Sequence, residues 1–387
     1  MSNAPWGGSE YLWSGAAAYL SVQGHRIFAS VCRWRKPSSH LEKLRSDGVH
    51  ITERHCDVSG LRSRLMRKLG REAVNYAEPL LLHMWLLKVK PDLVCISNGC
   101  FADNLRLVTV CRKMGIPYVL IAHANGEVMW PDDRFADEVM TAYGSAVRSF
   151  FVSRHNKDLL ETQLGTRLRN AELVWNPVKV QRDEQLQWPS TDDGWRLACV
   201  ARLHPKSKGQ DLLLKVLARR QWQDRPVHVS FYGKGENEEC LRREAQQLSV
   251  SGRLSFCGHV EDIDNIWATH HALVLPSRYE GLPISLVEAL LCGRTAIVTD
   301  VGGNAEVLRD DMDGFVAASP TEAHLHEAME RAWSRRDEWQ AMGQRAQHRL
   351  NTILPPQPAA AFGSRLLELV QQLNASPSRV ASSFKAP

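Results

Sequence analysis

The chain has 387 residues, 44% hydrophobic and 24% charged, with nine cysteines and a formal net charge of +5. That length admits two domains, and the composition is that of a globular protein, which excludes a collagen-like or wholly disordered chain. No apolar run reaches the roughly 20 residues of a membrane-spanning helix, the longest being LLLHMWLL at 80–87, and no signal-peptide pattern is visible. The cysteines form no Cys-x-x-Cys pair, and Cys95, Cys199 and Cys292 sit in apolar segments. Reduced thiols in a cytoplasmic protein are therefore expected, without a disulfide framework or zinc site. The charge is uneven: residues 1–188 hold 25 Lys and Arg against 19 Asp and Glu, the remainder 23 against 24. A basic first half fits an anionic partner. Nucleic acid is not expected, since no basic stretch is interleaved with aromatics.

The chain opens MSNAPWGGSE, a loop of the kind that follows a strand, with no strand ahead of it. A missing central strand would leave ladder groups unpaired in its neighbours, so a truncated or misassigned start is expected. A residual Ser-Asn-Ala tag or an unusual fold are the other accounts. Gly7 and Gly8 precede a helix running to about Val22, and adjacent glycines let backbone N–H groups approach an anion.

Strands are predicted at 26–30, 92–97, 117–122 and 149–153, then at 196–201, 227–233, 253–258, 272–277 and 295–300, with helices between them. This alternation argues α/β with two doubly wound parallel sheets facing across a cleft at the strands' carboxyl ends. The expected boundaries are residues 1–180 for an N-terminal domain lacking its first strand, 181–195 for a polar linker, and 196–353 for a C-terminal domain. A helix over 354–374 should pack back on the N-terminal domain, followed by a disordered tail at 375–387.

In LRSRLMRKLGREA (61–73), Arg64, Arg67, Lys68 and Arg71 share a helical stripe beside Leu61, Leu65 and Leu69. A solvated helix face is the ordinary reading. The alternative is docking on anionic lipid or on an anionic acceptor.

Two cations follow the strand at 196–201: Arg202 and Lys208 in VARLHPKSKGQDLL. Fixed cations at a strand-to-helix turn suit a diphosphate leaving group. In RYEGLPISLVEALLCG (278–293), Glu280 and Glu288 are separated by seven residues around a Gly-Leu-Pro turn. Gly281 and Leu282 offer N–H groups at a helix start and Pro283 lies near its first turn. The two acids can accept from separate sets of sugar hydroxyls. They sit on one turn-helix unit, which does not fit a glycosidase pair set across a scissile bond. Asp262/Asp264 and Asp311/Asp313 resemble metal-binding DxD pairs but fall at a helix start and in a turn, so no metal is expected. GKGENE lacks the third glycine of a dinucleotide fingerprint.

The ordered series R-x5-K-G (202–209), FYGKG (231–235), FCGHV (256–260), LPSRYEGLPISLVEALLCG (275–293) and DVGGNAEVL (300–308) resembles the donor domain of retaining family 4 glycosyltransferases of the GT-B fold. The resemblance extends more loosely to the Gly7-Gly8 loop, to His123 at the end of PYVLIAHANGE, and to VWNPV (174–178). It implies two Rossmann-like domains and transfer of a hexose-type sugar from a nucleoside diphosphate to a hydroxyl acceptor. The acceptor would be a polysaccharide, cell-surface glycan or lipid-linked glycan at the inner membrane face. No metal or other cofactor is implied. Arg202 and Lys208 would hold the diphosphate, Glu280 the transferred sugar and Glu288 the ribose. Gly7, Gly8, Gly281, Leu282 and Pro283 would line the nucleotide-sugar site, with His123 in the catalytic cleft. A GT-B nucleotide-sugar epimerase and a non-catalytic sugar-nucleotide-binding scaffold are the alternatives.

Overall fold

The computed structural model describes residues 6–34, 36, 38–54, 71–180 and 186–375, with only the backbone at 71–78. The basic segment at 61–73 therefore lies outside the described residues, apart from the backbone of its last three.

Hydrophobic strands alternating with amphipathic helices build parallel sheets in both halves. In the first half, β1 (Phe28–Cys32) pairs with β2 (His50–Arg54) as a two-stranded sheet. β3 (Val94–Asn98), β4 (Tyr118–Ala122), β5 (Arg148–Phe151) and β6 (Ala171–Leu173) form a second sheet in that order. Helix α1 (Gly8–Val22) lies against both: Leu12 and Ala16 pack with Val119, Ile121 and Phe150, while Ala17 packs with Ala29, Leu41 and Val49. The strand at 50–54 was not predicted, because its exposed, alternating HITER lacks an apolar run.

Helix α2 (Ser39–Ser46) sits by β2 and against α1. The other face of the four-stranded sheet is covered by α3 (Arg71–Val89), α4 (Leu105–Lys113), α5 (Asp133–Gly144) and α6 (Arg154–Leu164). Ser153 starts α6 by accepting the Asn156 N–H, and Asp132 starts α5 by accepting that of Phe135.

In the second half, six strands form one sheet in the order β12-β11-β10-β7-β8-β9. They are β7 (Trp195–Val200), β8 (Val227–Tyr232), β9 (Leu254–Gly258), β10 (Ala272–Leu275), β11 (Thr295–Thr299) and β12 (Phe315–Ala317). β10 and β11 are buried along their whole length, as parallel strands covered on both faces should be. The helices between and after these strands are α7 (Pro205–Lys208), α8 (Gln210–Leu217), α9 (Arg220–Gln223), α10 (Glu238–Gln247), α11 (Ile263–Thr269), α12 (Ile284–Leu291) and α13 (Asn304–Val307). α14 (Glu322–Ser334) and α15 (Trp339–Ile353) complete the layers, and α16 (Pro358–Ala375) returns to the first half. There it lies along α1, with Phe362 edge-on to Phe150 at 5.0 Å and Arg365 paired to Glu172 at 2.6 Å.

One expectation is corrected: Cys32, at the carboxyl end of β1, is disulfide-bonded. Seven other cysteines are free, Cys199 and Cys292 among them and buried. The bond depends on tertiary register, which cysteine spacing alone does not report.

Candidate functional site

The loops after β7 and β10 bring the sequence-predicted cations and acids together. The turn after β7 leads to Arg202 and then Lys208, which ends the one-turn α7 before Gly209. Gly209 has φ +64, and a Cβ there would lie 1.9 Å from the Pro276 carbonyl oxygen, so only glycine allows the two loops this approach. Lys208 Nζ donates to Glu280 Oε1 at 2.6 Å, and Ser277 Oγ donates to the same oxygen at 2.7 Å. Glu280 is buried, so its charge is compensated by a close cation and a hydroxyl. Arg278 ties the loops from outside: its guanidinium grips both carboxylate oxygens of Asp211 at 2.6 and 2.7 Å and bonds the Pro205 carbonyl. Arg202 is exposed, with its carbonyl held by Gln210 Nε2 at 2.7 Å. Its charge reaches Tyr279 on its own side of the cleft and Cys100, beyond β3, on the other.

Leu282 turns its side chain into the core against Leu286, and Pro283 immediately precedes α12. Glu288 lies within α12, buried, and accepts the backbone N–H of Lys179 at 3.0 Å. Burial pushes its carboxyl up to about 7, against the N–H and charge of Lys179, which draw it down. The Lys179 ammonium rests over the Tyr11 ring of α1, 4.7 Å from its centroid.

From the opposite half, Gly7 and Gly8 begin α1 at the mouth of the cleft. A Cβ on Gly8 would lie 3.2 Å from the Ile284 side chain, so α1 starts beside the start of α12. His123 follows β4 and is buried, its Nε2 3.1 Å from Ser97 Oγ and its Nδ1 without a partner. Burial lowers its imidazole to about 4, which keeps it neutral at neutral pH. Its carbonyl oxygen would lie 1.8 Å from a Cβ on Gly281, a second place where only glycine fits. Asn125 bridges Glu280 in antiparallel fashion, and Asn156 Nδ2 donates to the Glu280 carbonyl at 3.0 Å.

Sequence reasoning missed Ser277, Lys179, Asn125 and Asn156. Ser277 alone carried a local signal, three residues before Glu280; the others reach the site only through tertiary approach. The acids resembling metal ligands have structural partners. Asp262 caps α11, Asp311 pairs with Arg331 at 2.6 Å, and buried Asp313 pairs with Arg309 and Arg349.

A cation paired to an acid in the loop before α12, with a second acid within that helix, is an arrangement suited to a glycosyl diphosphate. Comparison with known proteins agrees. The model of Glycosyltransferase Family 4 matches residues 6–182, and that of Glycosyl transferases group 1 matches residues 180–349. The chain is 31% identical over 112 residues to the Vi polysaccharide biosynthesis protein VipC/TviE of Salmonella typhi, covering 29% of this chain and only 19% of that protein. It is 23% identical over 319 residues to a GDP-mannose-dependent alpha-(1-6)-phosphatidylinositol monomannoside mannosyltransferase of Mycolicibacterium smegmatis, covering 76% and 78%. Among solved structures, Alr3699/HepE of Anabaena in complex with UDP superposes with a TM-score of 0.69 at 16% identity, covering 96% of this chain and 98% of that one. That last likeness is one of fold. With the two family matches following one another from residue 6 to residue 349, over all three sheets and the cleft residues they carry, the chain belongs to the group 1 glycosyltransferases of family 4 type, with a GT-B fold.

Proposed function

We propose that the protein is a retaining, metal-independent transferase that moves a hexose from a nucleoside diphosphate to a hydroxyl of a polysaccharide or lipid-linked glycan. The observation that carries this reading is the Lys208–Glu280–Ser277 cluster, built on buried Glu280 and Ser277, with Arg202 exposed at the start of the same turn. Arg202 and Lys208 would take the diphosphate and stabilise the charge it gains as the anomeric C–O bond breaks. The bonding pair leaves with the phosphate oxygen. The acceptor hydroxyl forms the new C–O bond from the same face, and its proton passes to the departing phosphate, so no enzyme nucleophile is needed. Glu280 would accept from the sugar hydroxyls and neutral His123 would face the reacting sugar. Glu288 has one oxygen bonded to Lys179, which leaves the other for ribose.

A bilayer surface is the proposed place of work, from the cytoplasmic side. No helix among the described residues is long and apolar enough to cross a membrane. Helix α3 instead exposes Leu80, Leu81, Met84 and Leu87 along one face, opposite buried Leu82 and Leu86, just after the basic stretch at 61–73.

A melting panel of UDP- and GDP-sugars tests the donor, because a ligand of the native state raises the midpoint by mass action. One donor should raise it clearly, and the anomeric configuration of its transfer product should match the donor's. A panel without any shift, together with no transfer, would overturn the reading; an inverted product would overturn retention alone.

A further inference from the structure

The contacts across the cleft converge on one carboxylate that the donor reading does not use. Glu306, in α13, accepts the backbone N–H of His155 at 2.8 Å and that of Arg154 at 3.1 Å, one on each oxygen. Those two amides are the first of α6, where the helix leaves its N–H groups without intrahelical acceptors and where its dipole favours a negative charge. Glu306 belongs to the six-stranded half and α6 to the four-stranded half, so these bonds join the two domains.

Each end of this contact is also fixed to the Glu280 loop. On the C-terminal side, Gly303 N–H donates to the Gly281 carbonyl at 2.6 Å. Asn304 Nδ2 bonds the Thr299 carbonyl at 2.9 Å, and Thr299 Oγ1 bonds the Ser277 carbonyl at 2.6 Å. The Glu306 turn and the Glu280 loop therefore move as one piece. On the N-terminal side, Ser153 Oγ accepts the Asn156 N–H at 3.2 Å, and the Asn156 side chain, fully buried, reaches the Glu280 carbonyl at 3.0 Å. The first turn of α6 thus touches the sugar-side acid at its backbone and the Glu306 carboxylate within three residues.

We propose that Glu306 and Asn156 are positioning residues forming an interdomain latch, which fixes the Glu280 backbone only when the two domains are closed. This rests on the transferase reading above for its consequence in turnover, while the latch itself is a statement about domain closure. Glu280 sits between Lys208 and Ser277 from its own domain in either state. What closure adds is the hold of Asn156 on its carbonyl and the packing of the His123 carbonyl against Gly281. The latch is polar and reversible, as a contact that must release product requires, and interfaces of this kind within a chain permit domain motion.

The test uses the full chain and four proteins: wild type, Glu306→Ala, Glu306→Gln and Asn156→Ala. The readouts are the radius of gyration by small-angle scattering, titration with UDP and with GDP, and turnover. Glu306→Ala should raise the radius of gyration and lower kcat at least tenfold, with the nucleotide dissociation constant within twofold of wild type. Glu306→Gln should fall between the two, because its single amide oxygen can accept from one N–H while its NH2 opposes the other. Asn156→Ala keeps both Glu306 bonds, so it should lower kcat without changing the radius of gyration. It is the second arm should Glu306→Ala fail to fold. Glu306→Ala with the wild-type radius and turnover would overturn the latch, and Asn156→Ala with turnover within twofold of wild type would overturn the positioning of Glu280. If wild type neither binds UDP or GDP nor transfers sugar, the transferase reading fails, and the scattering comparison still decides the latch.

Discussion

The two halves of the molecule use the same strand-helix alternation and end with different kinds of site. In the C-terminal half one six-stranded parallel sheet is continuous from β12 to β9, and the loops after β7, β10 and β11 are bonded to one another. Lys208, Ser277, Glu280 and Glu288 are therefore placed by their own domain. In the N-terminal half the described strands form two separate parallel sheets held by α1, and each cleft residue is placed singly. Gly8, His123, Asn125 and Asn156 meet the site through contacts with residues of the other domain. A continuous sheet preorganises chemistry; a divided one supplies walls whose position depends on closure.

The largest effect should follow from removing the cations of the preorganised half. Arg202→Ala and Lys208→Ala should each cost roughly 2–4 kcal/mol of transition-state stabilisation, about 30- to 900-fold in kcat/KM. Lys208→Ala should also lower the melting temperature, because it strands the buried Glu280 carboxylate without its cation. Arg202 is exposed and its variant should melt like wild type. Comparison with His123→Ala sharpens the contrast. A loss there as great as that of Lys208→Ala would show that the N-terminal wall takes as large a part in the chemistry as the C-terminal loops.

What could be read from the sequence follows the same division. The nine predicted strands recur in the fold because each is an apolar run of strand length between turn residues. β2, β6 and β12 were missed: HITER is half exposed, and the other two have three residues each, too short for periodicity to register. The motif order in the C-terminal half pointed to Lys208 and Glu280 because the sheet delivers residues of successive loops to one edge. Nothing local marked Asn156, which sits 124 residues from its carbonyl partner. Nor did anything mark Lys179, whose backbone amide meets Glu288 only because the crossover between domains passes beside α12.

Glu288 offers a smaller effect with two opposite signs. Burial raises its carboxyl from 4.5 to about 7, so the folded state holds a proton that the unfolded chain releases between those values. The stability associated with the neutral form is thus fully present below pH 4.5 and is lost as pH rises through about 7, by at most about 3 kcal/mol. Glu288→Gln removes this dependence. The variant should melt with wild type near pH 5 and above it at pH 8, while its donor KM rises more than its kcat falls, as expected of a ribose contact. In wild type the nucleotide affinity should improve as pH rises through 7 and in the variant stay flat. Parallel melting curves against pH in the two proteins would refute the buried ionisation, and an abolished rate at unchanged KM would move Glu288 to the reacting centre.

The weakest expected effect lies on the outer surface of the N-terminal half, where the C-terminal half has no counterpart in the sequence. Leu80, Leu81, Met84 and Leu87 face solvent on α3, and such a stripe is costly to leave in water unless something covers it. The residues just upstream add Arg64, Arg67, Lys68 and Arg71, a charge that suits an anionic bilayer better than a neutral partner. Each basic residue near such a surface contributes about 1 kcal/mol, and each leucine entering the interface a comparable amount. Two variants separate the contributions: Leu81→Glu with Met84→Glu, and reversal of the four basic residues to Glu. Both should reduce co-sedimentation with phosphatidylglycerol-containing vesicles, and added salt should weaken wild type and the leucine variant but not the charge-reversed one. Turnover of a soluble acceptor should be unchanged in the leucine variant, since Leu81 and Met84 face solvent on α3. Full vesicle binding by both variants would remove the membrane from the reading of this half and leave its basic charge to the acceptor.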